Sequence, residues 1–164
     1  AEAGHDLNYI GACGLLALSS GPADRPVVPP GLMADIAGGA YPAVMNILLA
    51  LEERRRTGRG RHLDIAMAES VFPFLFWALG QGQATGTFPG NATALLSGGS
   101  ARYRLYPTRD GHLVAAAPIE DKFWARFCAV IGLEHGLRED ARDPQATIAA
   151  VAAAIAAEDG EVWR

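Results

Sequence analysis

The sequence is poor in cysteine and has no excess of basic residues. Only Cys13 and Cys128 occur, far apart and outside any CxxC spacing, which argues against a disulfide framework and a zinc site. The formal net charge of −4 gives no electrostatic basis for nucleic-acid binding. Hydrophobic residues make up 50% of the chain and charged residues 20%, a composition typical of a packed core. These features predict a globular protein of the reducing cytoplasm.

A long hydrophobic run is also missing from the first part of the chain. The apolar stretch 9–18 is interrupted by Gly11 and Gly14 and is too short to cross a bilayer, and no basic region precedes it. We therefore expect neither a signal peptide nor a membrane span. The chain begins at Ala1 without Met and stops at 162–164 in what reads as a continuing helix. We expect it to be the central fragment of a longer chain.

Common catalytic motifs are absent as well. The sequence contains no GxGxxG, no P-loop, no GxSxG and no HExxH. The remaining candidates for chemistry are three separate ionisable residues, His5, Asp35 and Glu120.

The first half of the chain has helical periodicity. Asp6 is predicted to cap a helix that reaches about Ser19. A second helix is predicted over 33–56, and Gly38, Gly39 and Pro42 are expected to bend it or delay its start. Its apolar part at 44–51 is expected to be buried. A short strand at 62–67 and an aromatic-rich helix at 69–79 follow.

The pattern changes after a segment rich in Gly, Thr, Ser and Asn at 80–100, which indicates a domain boundary near 97. Alternating residues at 101–106 and 112–117 flank the turn signal Asp110-Gly111 and predict a β-hairpin. Pro118 is predicted to open a helix with aromatic residues at helical spacing. An alanine-rich helix is predicted over 146–157.

Each of the three ionisable residues has a structural and a functional interpretation. His5 directly precedes a helix start, where the positive end of the helix disfavours the imidazolium, so a neutral His5 can act as a base; it can equally be an ordinary flanking residue. Asp35 lies between apolar residues and before two glycines, which allow another backbone or a ligand to approach closely; its alternative role is to stabilise the helix dipole. For Glu120, in a first helical turn, the position alone favours the structural interpretation.

Five segments taken together resemble a known family. They are 4–9 around His5, 32–39 around Asp35, 56–60, 106–111, and 117–124 around Glu120. Asp35 follows His5 by 30 positions and Glu120 follows it by 115. In order and spacing this set is similar to the α-methylacyl-CoA racemases of the CaiB/BaiF, or class III CoA-transferase, superfamily.

The resemblance implies an α/β protein that forms an interlocked homodimer. Residues 1–66 would be the late part of a Rossmann-like large domain, 67–97 a helical linker, and 98–164 most of a small α+β domain with an antiparallel hairpin. The substrate would be an acyl-CoA, with coenzyme A present only as part of that substrate and no further cofactor. A cytoplasmic location, no nucleic-acid partner and no membrane span complete the expectation.

The resemblance also implies roles for individual residues. His5 and Asp35 would exchange the α-proton on opposite faces of the substrate, and Glu120 of one subunit would orient His5 of the other. Beyond the resemblance, we expect backbone N–H groups near Asp35 and Gly38 to stabilise the enolate. Contacts to the substrate would come from Tyr9, Gly38 and Gly39.

One departure from the family pattern keeps other reactions open. Many racemases place an Asn four residues before the aspartate, where this chain has Gly31. In a CoA-transferase, Asp35 would instead be a nucleophile that forms a mixed anhydride and then a CoA thioester. A non-catalytic acyl-CoA-binding protein is the third hypothesis. A fold alone does not fix the chemistry. A CoA-transferase would not require a His at position 5, so the pairing of His5 with Glu120 favours the racemase.

Overall fold

The computed structural model describes residues 3–19, 21, 25 and 27–164. The chain divides into two compact units, Ala1–Pro89 and Gly90–Arg164. Residues 67–89, predicted as part of a linker, therefore pack within the first unit, and 90–97 within the second. The described elements are mainly helical, with a small two-stranded antiparallel sheet. This confirms a mixed helix and strand fold, and the Rossmann-like large domain and the interlocked dimer stay predictions.

Helix α1 is shorter than the sequence predicts. It spans Asp6–Ala12 and ends at Cys13, whereas the prediction extended it to Ser19. Gly14 has a φ of 88°, a left-handed conformation that a right-handed helix cannot continue through. A 3₁₀ turn over Leu15–Leu18 follows. Asp6 is the first helical residue rather than the cap, which is His5.

The second predicted helix forms and has the expected irregularity. A π-helix at Met33–Ala40 leads directly into α2 at Tyr41–Thr57. The change falls just before Pro42, which has no N–H to donate and so belongs in a first turn. Gly58, with a φ of 72°, ends α2 by donating its N–H to the carbonyl of Arg54 at 2.8 Å.

The apolar part of α2 is not buried within the described chain, so that expectation is wrong for this unit. Leu48 is 61% exposed and Leu49 68% exposed. The continuous helix Met33–Thr57 is long and apolar enough to cross a membrane by length and composition alone. That is weak evidence, because core helices of soluble proteins meet the same criterion.

The remainder of the first unit is a series of short helical segments. Helix α3 spans Met67–Val71, a 3₁₀ turn spans Phe72–Leu75, and α4 spans Phe76–Thr85. The predicted strand at 62–67 is wrong, because 61–66 has no regular structure. A strand needs a hydrogen-bonding neighbour, and no strand forms among the described residues of this unit.

The first unit is held together by a small apolar cluster. Ile10 of α1, Ala34 of the π-helix and Val71 of α3 are buried against one another. Gly38 permits the closest approach, since a Cβ there would lie 2.6 Å from the carbonyl oxygen of Met67 and 2.8 Å from Cγ2 of Val71. The segments that carry His5 and Asp35 are therefore packed on a common core.

The second unit contains the predicted hairpin. Strands β1 at Arg104–Pro107 and β2 at Leu113–Ala116 pair antiparallel, with Arg104 opposite Ala116 and Pro107 opposite Leu113. Gly111 has a φ of 82° in the turn, as the Asp-Gly signal predicts. Helix α5 spans Asp121–Val130 and α6 spans Pro144–Ala156. Short 3₁₀ turns lie at Leu95–Ser97, His135–Leu137 and Gly160–Trp163.

The core of the second unit lies between the hairpin and its two helices. Its buried members include Tyr106, Trp124, Cys128, Val151 and Ile155. The indole of Trp124 stacks on Phe127 with ring centroids 5.8 Å apart. Helix α6 starts at a cap that the sequence encodes locally, since the carboxylate of Asp143 accepts the N–H of Ala146 at 3.0 Å.

Candidate active site

A buried carboxylate connects the two predicted proton-transfer segments of the first unit. Oδ1 of Asp6 accepts the backbone N–H of Ala34 at 2.6 Å and that of Asp35 at 2.9 Å. Asp6 is only 8% exposed. The residue before the π-helix is Leu32, whose side chain cannot accept a hydrogen bond. Asp6 therefore caps, from a different helix, the turn that carries Asp35.

His5 is held by its own helix. Its backbone is extended, with a φ of −117° and a ψ of 172°, and its N–H donates to Oδ1 of Asn8 at 3.0 Å. Its carbonyl accepts the N–H groups of Asn8 and Tyr9 at 2.9 Å and 3.2 Å. The residue is exposed, so the imidazole is accessible for proton transfer.

Tyr9 lies against the residue that precedes His5. A Cβ placed on Gly4 would lie 3.3 Å from Cζ of Tyr9, so only a small residue fits under the ring. Tyr9 is half-buried and also packs on the apolar cluster of the first unit. The structure thus brings the predicted substrate contact Tyr9 and the predicted base His5 to the same end of α1.

Asp35 lies in the first turn of the π-helix and is half-buried. The N–H of Asp35 is fixed by its hydrogen bond to Oδ1 of Asp6. Gly31, which stands where many racemases have an Asn, is exposed and has no heavy atom within 4 Å of a Cβ built on it.

The two glycines after Asp35 face Met67 at the start of α3. Gly38 is buried against the carbonyl of Met67, and a Cβ on Gly39 would lie 3.1 Å from Cγ of Met67. Of the two interpretations that the sequence left open, the close approach of a second backbone is realised. Substrate contacts by Gly38 and Gly39 stay predictions.

The N–H of Asp35 itself is already engaged, and stabilisation of the enolate by other N–H groups near Asp35 and Gly38 stays a prediction. That N–H already donates to Asp6, and a backbone N–H has a single proton to give. Gly38 lies inside the π-helix, where N–H groups bond to carbonyls of the preceding turn. The sequence could not reveal this, because the competing acceptor lies 29 positions away.

Glu120 occupies the position just before α5 rather than lying in the first turn of that helix. Its backbone is extended, with a φ of −75° and a ψ of 144°, and its carbonyl accepts the N–H groups of Phe123 and Trp124, both at 2.9 Å. The residue is exposed and its side chain does not cap the helix. Its pairing with His5 stays a prediction.

Sequence reasoning missed an arginine that fixes both neighbours of Glu120. Nη1 of Arg102 donates to the carbonyl of Ile119 at 2.9 Å and to Oδ1 of Asp121 at 2.7 Å. Its Nε and Nη2 bond both carboxylate oxygens of Asp140 at 2.9 Å and 2.8 Å. The hydrogen bonds to Asp140, and after them the bond to Asp121, raise the pKa of Arg102.

The guanidinium of Arg102 also lies over the ring of Trp124, 5.2 Å from its centroid. Four hydrogen bonds and this ring contact hold the turn that presents Glu120. The available sequence signal was weak, because Asp140 is 38 positions from Arg102 and no local spacing connects them.

No metal centre is formed by the part of the chain that the structure describes. Within 3–19, 21, 25 and 27–164, no three His, Cys, Asp or Glu side chains are grouped closely enough to hold a metal ion.

Comparison with known sequences identifies relatives of two kinds. Residues 1–163 match the model of CoA-transferase family III. The α-methylacyl-CoA racemase of Mus musculus is 36% identical over 133 residues, covering 80% of this chain and 35% of that protein. The human racemase is 33% identical over 142 residues, with the same coverage. The succinate–glutarate CoA-transferase of Agrobacterium fabrum is 30% identical over 134 residues, covering 80% of this chain and 32% of that enzyme.

Solved structures show the same fold. The Mycobacterium tuberculosis protein Rv3272 superimposes with a TM-score of 0.72 at 20% identity, covering 99% of this chain and 43% of that one. A CaiB/BaiF family protein from Brucella suis gives a TM-score of 0.66 at 26% identity, covering 94% of this chain and 40% of that one. The chain spans about a third of the length of the curated relatives it matches.

Proposed function

The chain belongs to CoA-transferase family III, and we propose that the full-length protein racemises 2-methyl-branched acyl-CoA thioesters by a 1,1-proton transfer. The observation that carries this proposal is the link through Asp6, which joins the segment of His5 to the backbone of Asp35. Racemases at 36% and 33% identity support it. The same proposal includes a cytoplasmic location and a substrate that brings its own coenzyme A, with no other cofactor.

The reaction needs two groups on opposite faces of one carbon. In the proposal, one of His5 and Asp35 removes the α-proton, and the C–H electron pair becomes the C=C bond of an enolate with charge on the thioester oxygen. The conjugate acid of the other residue then returns a proton to the opposite face and the thioester re-forms. A weakly acidic α-proton requires both a positioned base and stabilisation of that oxygen.

Glu120 is assigned to a supporting role. A carboxylate beside the imidazole of His5 favours the protonated ring that forms when His5 accepts the substrate proton. In the proposal Glu120 comes from the second subunit of an interlocked homodimer. The hydrogen bonds from Arg102 support this role, because they hold the backbone carbonyl of Ile119 on one side of Glu120 and the side chain of Asp121 on the other.

A CoA-transferase is the second candidate, supported by the Agrobacterium relative at 30% identity. Asp35 would attack the thioester carbonyl, expelling the CoA thiolate and leaving a mixed anhydride. The thiolate would then attack the Asp35 carbonyl, which releases the first acid and leaves CoA on the enzyme as a thioester. An acceptor carboxylate would reverse these steps. This reaction requires neither His5 nor Glu120.

Isotope exchange separates the candidates. The full-length protein is incubated with a 2-methylacyl-CoA in deuterated water, without an acceptor acid. Deuterium at the α-carbon together with inversion supports the racemase. Transfer of CoA to an added carboxylate, no exchange, and trapping of Asp35 by hydroxylamine would establish the transferase. Binding of acyl-CoA with neither reaction would leave the non-catalytic hypothesis.

Matched variants assign the residues. For the enantiomer whose α-proton His5 removes, His5→Ala is expected to lower α-exchange by about 100-fold or more, within the range for loss of a general base. His62→Ala is the control, since His62 is an exposed histidine of the same unit, and it is expected to leave exchange unchanged. If His5→Ala exchanges at the wild-type rate, His5 has no part in the mechanism.

A further inference from the structure

We infer that Asp6 is a positioning residue of the proposed reaction, because it fixes Asp35 relative to His5. The inference rests on the proposed function of the same site and adds a residue to it. Asp6 does not touch the reacting carbon in this assignment. It acts through the backbone of Asp35.

The geometry assigns one acceptor to two donors. The second and third N–H groups of the π-helix belong to Ala34 and Asp35, and both donate to Oδ1 of Asp6. Such N–H groups have no partner within their own helix. An ionised carboxylate makes stronger bonds to them than a neutral acceptor does, and the helix dipole adds to the attraction.

The location of Asp6 makes this contact specific. Asp6 follows His5 directly in the chain, so its carboxylate links the neighbour of one predicted base to the backbone of the other. The surrounding contacts are rigid, since Ile10 and Ala34 are almost fully buried in the shared core. A change at Asp6 therefore alters the start of the π-helix more than the packing of the helices.

His5 has independent supports. Its N–H is bonded to Asn8 and its carbonyl to the N–H groups of Asn8 and Tyr9, and substitution of the Asp6 side chain leaves these bonds in place. Loss of the carboxylate is therefore expected to displace Asp35 while His5 keeps its place at the start of α1.

This asymmetry has a measurable consequence. Exchange of the α-proton with retention of configuration needs one base and a stabilised enolate. Inversion also needs the second residue on the opposite face. If Asp6 positions Asp35, loss of the Asp6 carboxylate lowers the rate of inversion more than the rate of exchange with retention at His5. A loss of folded protein lowers both rates equally and leaves their ratio unchanged.

The experiment uses the full-length protein in deuterated water and starts from the enantiomer whose exchange is abolished by His5→Ala. Asp6→Asn retains the size and one neutral acceptor, and Asp6→Ala retains neither acceptor nor charge. The expected fall in the ratio of inversion to retained exchange is about tenfold for Asp6→Asn and about 100-fold for Asp6→Ala, as expected for a displacement of about 1 Å. Asp64→Asn, at an exposed position of the same unit, is the control for the charge change.

The outcomes are distinct. Suppose that the wild-type protein both exchanges and inverts, and that the ratio of inversion to retained exchange is unchanged in both Asp6 variants. This result overturns the inference and leaves the proposed function standing. No exchange in the wild-type protein overturns the proposed function and the inference with it. Because the ratio does not depend on the folded fraction, partial unfolding of Asp6→Ala does not obscure the result.

Discussion

The carboxylate of Asp6 accepts the backbone N–H of Asp35 at 2.9 Å, although the two residues lie 29 positions apart. This bond removes the Asp35 N–H from the set of possible enolate donors. It also gives the π-helix the cap that Leu32 cannot supply. The stability of the first unit and the placement of Asp35 therefore depend on the same contact and on the packing around it.

The packing of Gly38 against α3 gives the first prediction. Gly38→Ala is expected to lower the free energy of unfolding by about 1–3 kcal/mol, the usual cost of overpacking. The reason is that the new Cβ would lie 2.6 Å from the carbonyl oxygen of Met67, a backbone atom that moves only with its helix. Denaturant unfolding of the protein measures the change.

Gly80→Ala is the matched control for that substitution. Gly80 lies inside α4 and has no heavy atom within 4 Å of a built Cβ. Alanine there is expected to raise stability by up to about 1 kcal/mol through helix propensity. Equal effects of the two substitutions would contradict the close approach of Gly38 to α3.

The hydrogen bonds of Arg102 beside Glu120 give the second prediction. Arg102→Lys keeps the charge but cannot reproduce the two-point bond to Asp140 together with the bonds to Ile119 and Asp121. A loss of about 1–3 kcal/mol in stability is expected. Arg109→Lys is the control, since Arg109 forms an exposed ion pair with Asp159, and it is expected to cost less than about 1 kcal/mol.

The same arginine is expected to affect activity only through Glu120. Arg102→Lys should lower α-exchange in the wild-type background and have little further effect in a Glu120→Ala background. A double-mutant cycle of the exchange rates measures this coupling. Additive effects would show that Arg102 acts on the reaction without Glu120.

Local signals were sufficient to predict several elements from the sequence. The Asp110-Gly111 turn between alternating segments predicted the hairpin. The turn needs a residue with a positive φ, and the sequence places Gly111 there. The irregularity before Pro42 was predicted for the same kind of reason, as proline has no N–H for the helix ladder. Such features depend only on neighbouring residues.

Long-range contacts account for most of what the sequence did not predict. The segment 62–67 has the alternation of a strand but no partner strand in the described part of its unit. Asp6 was expected to cap its own helix, and instead it caps one that begins 27 positions later, at Met33. Arg102 and Asp140 pair across 38 positions. None of these partners can be read from spacing.

Burial of a tyrosine gives the third prediction, on pH. Tyr106 is almost fully buried in the second unit, and burial raises the pKa of its hydroxyl to about 12. The unfolded value is about 10, so the folded state favours the neutral phenol. This contribution to stability is present in full below about pH 10 and is lost as the pH rises through about 12.

Tyr106→Phe tests whether the loss of stability at alkaline pH comes from the Tyr106 hydroxyl. The variant loses the hydrogen bond from the hydroxyl to the carbonyl of Ala101, 3.0 Å long, which is expected to cost about 1 kcal/mol at neutral pH. Between about pH 10 and 12 its stability should fall less steeply than that of the wild-type protein, since the titrating group is absent. Parallel curves over that range, from denaturant unfolding at each pH, would assign the alkaline transition to another group.

The open space at Gly31 gives the last prediction. Gly31→Asn introduces the side chain that many racemases place four residues before the aspartate, and no heavy atom obstructs a Cβ at this position. The substitution is expected to change stability by less than about 0.5 kcal/mol, as is usual for exposed sites. An amide that donates to the Asp35 carboxylate is expected to raise the racemisation rate by about tenfold, within the energy of a hydrogen bond to a charged group. Gly60→Asn, at an equally open position of the same unit, should leave the rate unchanged. A rate that does not rise in Gly31→Asn would contradict the expected bond between the new amide and the Asp35 carboxylate.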